Sequence, residues 1–422
     1  MVEVKRVRLG DVAYEHKERI GEEAPDRPVY GVDKSVGLTA EPRYQSSNLS
    51  RYKRIEHGMF AYNPMRLNIG SIGFCHADLA PGIVSPDYVV FGCRKGALLP
   101  KFMDYHTRSA PWSDWLSLAG EGSVRERIYF RKLETYELAL PDVAYQEAAV
   151  EILSSLDNKI ELNRRMNETL EALVQAIFKD WFVTFGPTRR KMGGATDPVA
   201  ILGGLIPDPA KAAPLAALFP DSFGDDGLPE GWRIEPFESL AEITMGISPD
   251  GSTYNEAGIG IPLCNGPAEY GEFFLRKIKW TTAPNKLSKP GDLIICVRGS
   301  TTGRHAFADA EYCLGRGVAS IRGRDDDQEF VETALLHDLD RLLQKTTGSV
   351  FPSLSATDIK KFEVTAPSRS IRQAFVSTMR PVRNKIWSSI QENQLLAATR
   401  DHLLPKLMTG AVRLQVAEAM AE

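Results

Sequence analysis

One stretch of this chain is written twice. Gly122-Ser123-Val124 recurs as Gly348-Ser349-Val350, Pro141 as Pro367, Asn158-Lys159-Ile160 as Asn384-Lys385-Ile386, and Asn167 as Asn393, each pair 226 positions apart. Without a gap, 13 of the 51 positions from Gly122 to Ala172 match their counterparts. A single offset held by separated anchors means that one structural unit is used twice, and 422 residues leave room for it. Upstream the offset drifts. Phe60-Ala61-Tyr62-Asn63-Pro64-Met65-Arg66 before Gly70-Ser71, and Leu293-Ile294-Ile295-Cys296-Val297-Arg298 before Gly299-Ser300, both read as an apolar strand, a basic residue and a Gly-Ser loop.

After each shared proline the apolar period becomes helical. Ala149, Leu153, Leu156, Ile160, Asn163, Asn167, Leu170, Val174, Ile177 and Trp181 alternate steps of four and three. Phe375, Met379, Val382, Ile386, Ser389, Asn393, Leu396, Arg400, Leu403 and Leu407 do the same. That is the seam of a coiled coil, and the equivalent Asn167 and Asn393 are register-fixing polar positions. Two amphipathic helices packing on separate cores would show such stripes as well; two matched stripes in one chain favour partnership. Pro381 and Arg400 interrupt the second stripe, and an internal proline costs about 3 kcal/mol, so the second helix is expected to be bent or shorter. Segment 184–227, with Gly193-Gly194, Gly203-Gly204, Pro207, Pro209, Pro214 and Pro220, reads as a linker partly ordered by short apolar runs such as Ala200–Leu205. The expected order is a mixed α+β globule over 1–142, a spacer helix over 143–183, the linker, a second globule over 228–367, a second spacer helix over 368–414 and a tail over 415–422. Short strands are expected at Tyr88–Phe91, Leu293–Val297 and Val318–Ile321.

Hydrophobic residues at 43% and charged residues at 25% exclude wholesale disorder. A net charge of −4 gives no overall field toward polyanions but leaves room for local basic patches. The N-terminal stretch has no apolar core of signal-peptide length, and the five scattered cysteines never form C-x-x-C; a cytoplasmic location without disulfides or structural zinc is expected. The neighbours Cys75 and His76 point to opposite faces of a strand, so no metal site is expected there.

Catalytic signatures are missing or degraded. There is no phosphate-binding G-x-x-x-x-G-K-[ST] loop and no G-x-S-x-G elbow. Asn63-Pro64-Met65-Arg66 is similar to the tetrapeptide of adenine methyltransferases but has Arg66 where an aromatic would stack on a flipped base. Asp142 followed by Asp157-Asn158-Lys159 formally matches a metal-nuclease pattern, yet Asp157 lies on the heptad helix and the repeat has Ser368 and Arg383 in place of the carboxylates. No catalytic or metal-binding residue is assigned.

Local basicity remains. Segment 41–66 carries Arg43, Arg51, Lys53, Arg54 and Arg66 against two glutamates, and segment 276–304 carries seven basic residues, among them Lys279, Lys286, Arg298 and Arg304, against Asp292. Tyrosines and Trp280 are interleaved, and Arg316 follows nearby. One such segment in each repeat suits phosphate contacts with some base-edge readout, and these ten arginines and lysines are the candidate DNA-binding residues. The candidate helix seam is Leu153, Leu156, Ile160, Asn167 and Leu170 with Val382, Ile386, Asn393 and Leu396.

At these residues the chain resembles the specificity subunit of Type I restriction-modification systems. The resemblance is strong in Ile152–Pro187 and Arg400–Leu414, and extends to Leu228-Pro229-Glu230-Gly231-Trp232, Phe60–Phe74 and Val84–Phe91. It implies two target-recognition domains joined by two long helices in an antiparallel coiled coil, each domain reading one half of a split DNA site. A helix of about 60 Å at 1.5 Å per residue would exceed one turn of B-DNA, about 34–36 Å, and act as a ruler. The resemblance further implies a non-catalytic chain. Its partners would be double-stranded DNA, two modification subunits holding S-adenosylmethionine, and restriction subunits using ATP and magnesium. A coiled-coil scaffold without DNA specificity is the alternative reading.

Overall fold

The computed structural model describes residues 3–22, 27–40, 42, 44–119, 127–344 and 353–414. The repeated Gly-Ser-Val triplets, Arg43 and the tail 415–422 lie outside them. The chain divides into two compact units, and the division crosses both long helices instead of falling at their ends: Met1–Leu162 groups with Glu392–Glu422, and Asn163–Gln391 forms the second unit. The expected linear series of globule, spacer and linker is thereby regrouped.

Unit 1 contains β1 (Val4–Arg8), β2 (Ala13–His16), β3 (Val29–Asp33), β4 (Gly37–Thr39), β5 (Lys53–Ile55), β6 (Phe60–Tyr62), β7 (Ile72–Phe74), β8 (Gly82–Val84), β9 (Val89–Cys93) and β10 (Glu137–Pro141). They form a β1-β10 ribbon and two four-stranded sheets, ordered β2-β9-β6-β7 and β4-β3-β8-β5. Only β3 and β8 pair in parallel among these strands. The centre is β6, buried on both faces because alternate residues of a strand point opposite ways. Phe60 and Tyr62 enter the main core, where Phe60 stacks on Phe91 with centroids 4.8 Å apart, while Ala61 enters a second cluster with Tyr30 and Val84.

Unit 2 repeats this plan with β11 (Arg233–Pro236), β12 (Ala241–Met245), β13 (Tyr254–Asn255), β14 (Ile261–Cys264), β15 (Lys279–Thr281), β16 (Leu293–Cys296), β17 (His305–Phe307), β18 (Cys313–Leu314), β19 (Val318–Gly323) and β20 (Glu363–Ala366). The ribbon is β11-β20 and the sheets are β12-β19-β16-β17 and β13-β15-β14-β18, again with one parallel pair, β14 and β18. Here β16 takes the place of β6: Leu293 and Ile295 face the main core, Ile294 and Cys296 a second one. The drifting upstream match is therefore real at the level of topology. Equivalent backbone bonds recur as well. Ile128 N donates to Pro64 O at 3.0 Å where Leu354 N donates to Val297 O at 2.9 Å, and Leu9 N to Tyr136 O where Phe237 N meets Phe362 O, both at 2.8 Å.

The long helices are α1 (Val143–Phe178, 36 residues) and α2 (Arg369–Met408, 40 residues). A π-helical turn, Lys179–Val183, follows α1 and sinks Trp181 and Phe182 into the core of unit 2. The expectation of a shorter second helix fails, because α2 runs through Pro381 and is the longer of the two. Pro381 is exposed, and its neighbours anchor the helix on either side of the lost backbone bond. Met379 and Ile386 are buried, and Arg380 and Arg383 both bind Glu329.

The linker is more ordered than its composition suggests. It holds the helices Gly186–Met192, Pro198–Ile201 and Pro209–Leu218, and Ile201, Leu202, Ala212, Ala216 and Phe219 belong to the buried core of unit 2. Arg190 fastens it, pairing with Asp180 at 2.5 and 3.0 Å and donating to Ile201 O at 2.6 Å. Among the described residues no helix is long and apolar enough to cross a membrane.

Leu153 is fully buried in unit 1, whereas Leu162 on the same helix is 62% exposed. In urea unfolding, Leu153→Ala is expected to lose about 2–5 kcal/mol, and Leu162→Ala to stay within about 0.5 kcal/mol of the parent. Equal losses would contradict this seam orientation.

Candidate nucleic-acid interface

All twenty residues of the two heptad stripes are buried or half-buried, so the 3.5-residue period identifies the inward faces of α1 and α2. Inside unit 1 the helices pair antiparallel: Asn393 Nδ2 donates to Ile160 O at 3.3 Å, Lys159 lies 3.6 Å from Glu392, and Arg400 donates to Asp157 at 2.8 Å. Arg400, a blemish in the stripe, is there to meet that carboxylate. Leu156, Ile160 and Leu396 are half-buried around these bonds. Inside unit 2, Asn167, Ile386 and Ser389 are buried, and Leu170 and Val382 half-buried. Asp157 also accepts from Tyr105 Oη at 2.8 Å, and Asp142 Oδ1 accepts from Tyr145 N at 2.8 Å at the start of α1. Both carboxylates of the nuclease-like pattern are thus structural, and Asn63 of the methyltransferase-like tetrapeptide caps Met65 N at 2.9 Å. Among the described residues no three metal-ligating side chains converge.

The basic residues of unit 2 sort by partner. Arg322 grips buried Asp292 with two bonds of 2.8 and 2.7 Å, and Arg372 binds Asp327 at 2.7 Å. Arg383 pairs with Glu329 and Glu332, both at 3.2 Å, with its guanidinium 4.2 Å from the Trp387 ring centre. These hold the fold. Lys286, Arg298, Arg304 and Arg316 are exposed, Lys279 on β15 is half-buried, and none of the five has a carboxylate partner among the described residues. Arg298 and Arg316 are brought together in an open cleft of about 570 Å³ with Ser248, Tyr254, Asn265 and Gly317, and no carboxylate lines it. Sequence reasoning had singled out the two arginines and missed Ser248, Tyr254 and Asn265. The Gly315-Arg316-Gly317 triplet was the available signal, since flanking glycines leave the arginine uncovered.

In unit 1 the candidates divide in the same way. Lys53 Nζ donates to Tyr88 O at 2.5 Å, with burial lowering its pKa, and Arg54 lies 3.2 Å from Glu18. These two secure β5. Arg51 and Arg66 stand exposed on the turns before β5 and after β6.

A second cavity of unit 2, about 420 Å³, has the opposite character, with Glu171, Glu272, Glu329 and Glu332 in its wall beside Arg383 and His305. Its acidity makes it unsuitable for a phosphate backbone. Burial pushes the Glu332 carboxyl up to about 7 from an ordinary 4.5, against the pull of Arg383. The folded chain therefore holds this proton more tightly than the unfolded chain. Its contribution to stability is full below about pH 4.5 and is lost as the pH rises through 7. In denaturation curves between pH 4.5 and 7.5, Glu332→Gln is expected to flatten this decline; an unchanged slope would exclude Glu332 as its source.

Residues 229–397 match the family model described as Type I restriction modification DNA specificity domain. Over 402 residues the chain is 25% identical to the Type I restriction enzyme HindI specificity subunit of Haemophilus influenzae, covering 85% of this chain and 88% of that one. It is 23% identical over 369 residues to the putative Type I restriction enzyme MjaX specificity subunit of Methanocaldococcus jannaschii, covering 83% and 80%. The crystal structure of a Type I restriction-modification system S subunit from M. genitalium matches with a TM-score of 0.59 at 12% identity over 96% of both chains, a likeness of fold. A duplicated β-globule on paired long helices, a specificity-domain match over the second copy, and relatives aligned over most of the chain all point the same way: residues 229–397 match the Type I restriction modification DNA specificity domain, and the chain as a whole is similar to Type I specificity subunits.

Proposed function

We propose that this chain is the non-catalytic, sequence-reading subunit of a Type I restriction-modification complex, each repeat's globule reading one half of a split DNA site. The carrying observation is the contrast within unit 2. The arginines Arg372, Arg380 and Arg383 of α2 are ion-paired, while those on the loops after β16 and β18 stand exposed with no carboxylate partner among the described residues. Unpaired guanidiniums on exposed loops suit phosphate and base contacts, and they can vary without touching the core. In this reading α1 and α2 set the half-site spacing and dock two modification subunits. Adenine methylation with S-adenosylmethionine, and cleavage with ATP and magnesium, belong to those partners and to the restriction subunits.

The test is methylome sequencing of a methylation-free host that expresses this chain with its cognate modification subunit. A split, adenine-methylated motif is expected, vanishing when this chain is omitted. An assembled complex that leaves no such motif would overturn the reading. Duplex binding by the complex should also weaken steeply with salt, since phosphate contacts release counterions; salt-independent binding would favour a scaffold role.

A further inference from the structure

Among the loop residues of unit 2, one neutral side chain is held differently from the rest. Asn265 directly follows β14, half-buried in the cleft where Arg298 and Arg316 are exposed. Its backbone is clamped, because the buried Glu269 carboxylate accepts from Asn265 N at 3.2 Å and from Gly266 N at 3.1 Å. The neighbouring loop is pressed against it. A β-carbon on Gly315 would lie 1.9 Å from Asn265 Oδ1, and one on Gly317 2.4 Å from the Asn265 carbonyl oxygen. That loop is itself tied down, with Arg316 N donating to Ser248 Oγ at 3.1 Å and Ile247 N to Leu314 O at 2.8 Å. Yet the Asn265 side-chain amide makes no hydrogen bond among the described residues.

We propose that Asn265 is the base-reading residue of this cleft and selects an adenine in the half-site read by the second globule, while Arg298 and Arg316 hold the flanking phosphates. This rests on the DNA-reading function proposed above and deepens it. A side-chain amide carries one donor and one acceptor side by side, the complement of adenine N7 and N6 in the major groove. Discrimination needs that pair held at a fixed angle, which the two glycines and Glu269 provide. The arginines have the opposite properties, long stems and exposed heads without partners, and fit the phosphate backbone, which asks for charge and not for a fixed angle.

The experiment uses the complete complex with its modification subunits, comparing the parent with Asn265→Ala, the equal-volume Asn265→Asp, and Arg298→Ala/Arg316→Ala. Methylome sequencing of the Asn265 variants should show one adenine position of one half-site relaxed and the other half-site unchanged. Affinity for a duplex carrying the parent motif should fall about tenfold. The double arginine variant should keep the parent motif, bind every duplex more weakly, and show a salt dependence shallower by about two in log–log slope. Asn265→Asp keeps the side chain's volume, so a folded complex is secured in at least one variant, checked by its unfolding midpoint. An unchanged motif in folded Asn265→Asp, or relaxation at a non-adenine position, would overturn the assignment of Asn265 alone. Absence of any split motif from the parent complex would overturn the functional reading itself.

Discussion

Neither globule closes its core without both long helices. In unit 1 the buried cluster that holds Phe60 and Phe91 also holds Tyr145, Ala149 and Leu153 from the start of α1, and Leu404, Leu407 and Met408 from the end of α2. In unit 2, Ile177 and Phe178 from the end of α1 meet Ile371, Phe375 and Met379 from the start of α2. Antiparallel pairing imposes this exchange: the last turns of the chain must return to the first globule. The Tyr145 hydroxyl, donating to Val412 O at 3.0 Å, is one bond that records it. Hydrophobic burial so divided makes each helix a structural part of both units, and a truncation at either end would open a core that looks remote in sequence.

Polar groups occupy the middle of the stripes, where neither globule lends apolar cover. Asn163 and Asn167 are buried in unit 2; Asn393, Asp157 and Arg400 are bonded across the helices in unit 1. Such groups contribute little net stability, since desolvation cancels much of the attraction. Their effect is on register. Sliding one helix by a turn would part Asp157 from Arg400 and break the charged bond that ties these two half-buried groups across the helices. Within a unit, a seam with such groups accepts that cost in exchange for a defined register.

The parts legible in sequence were those governed by period. Steps of three and four picked only residues that are buried or half-buried, and the 226-residue offset placed Pro141 at the end of β10 and Pro367 just after β20. What escaped was set by long-range partners. Pro381 looked like a helix break because the packing of Met379 and Ile386 and the ion pairs of Arg380 and Arg383 are invisible locally. The glycine- and proline-rich linker read as only partly ordered, since Arg190 finds Asp180 only once Gly186 has made room: a β-carbon there would lie 2.1 Å from Asp180 Oδ1. Among the basic candidates, local charge could not separate Lys53 and Arg54, which secure β5, from Arg66 and Arg298, which secure nothing.

That separation explains how one scaffold can serve changing specificity. Strands β6 and β16 are buried on both faces, so a substitution at any position there disturbs one core or the other. The loops that leave them obey no such constraint. Arg66 and Arg298 follow equivalent strands, and the same backbone bond braces each loop, Ile128 N to Pro64 O in one repeat and Leu354 N to Val297 O in the other. The bond needs a carbonyl, not a particular side chain, and so the neighbouring residue is free: Met65 stands in the first repeat where Arg298 stands in the second. Backbone bonds keep the loop in place while side chains choose what it meets, which is why the two repeats agree in topology and in their helices and disagree on the surfaces with which they would meet DNA.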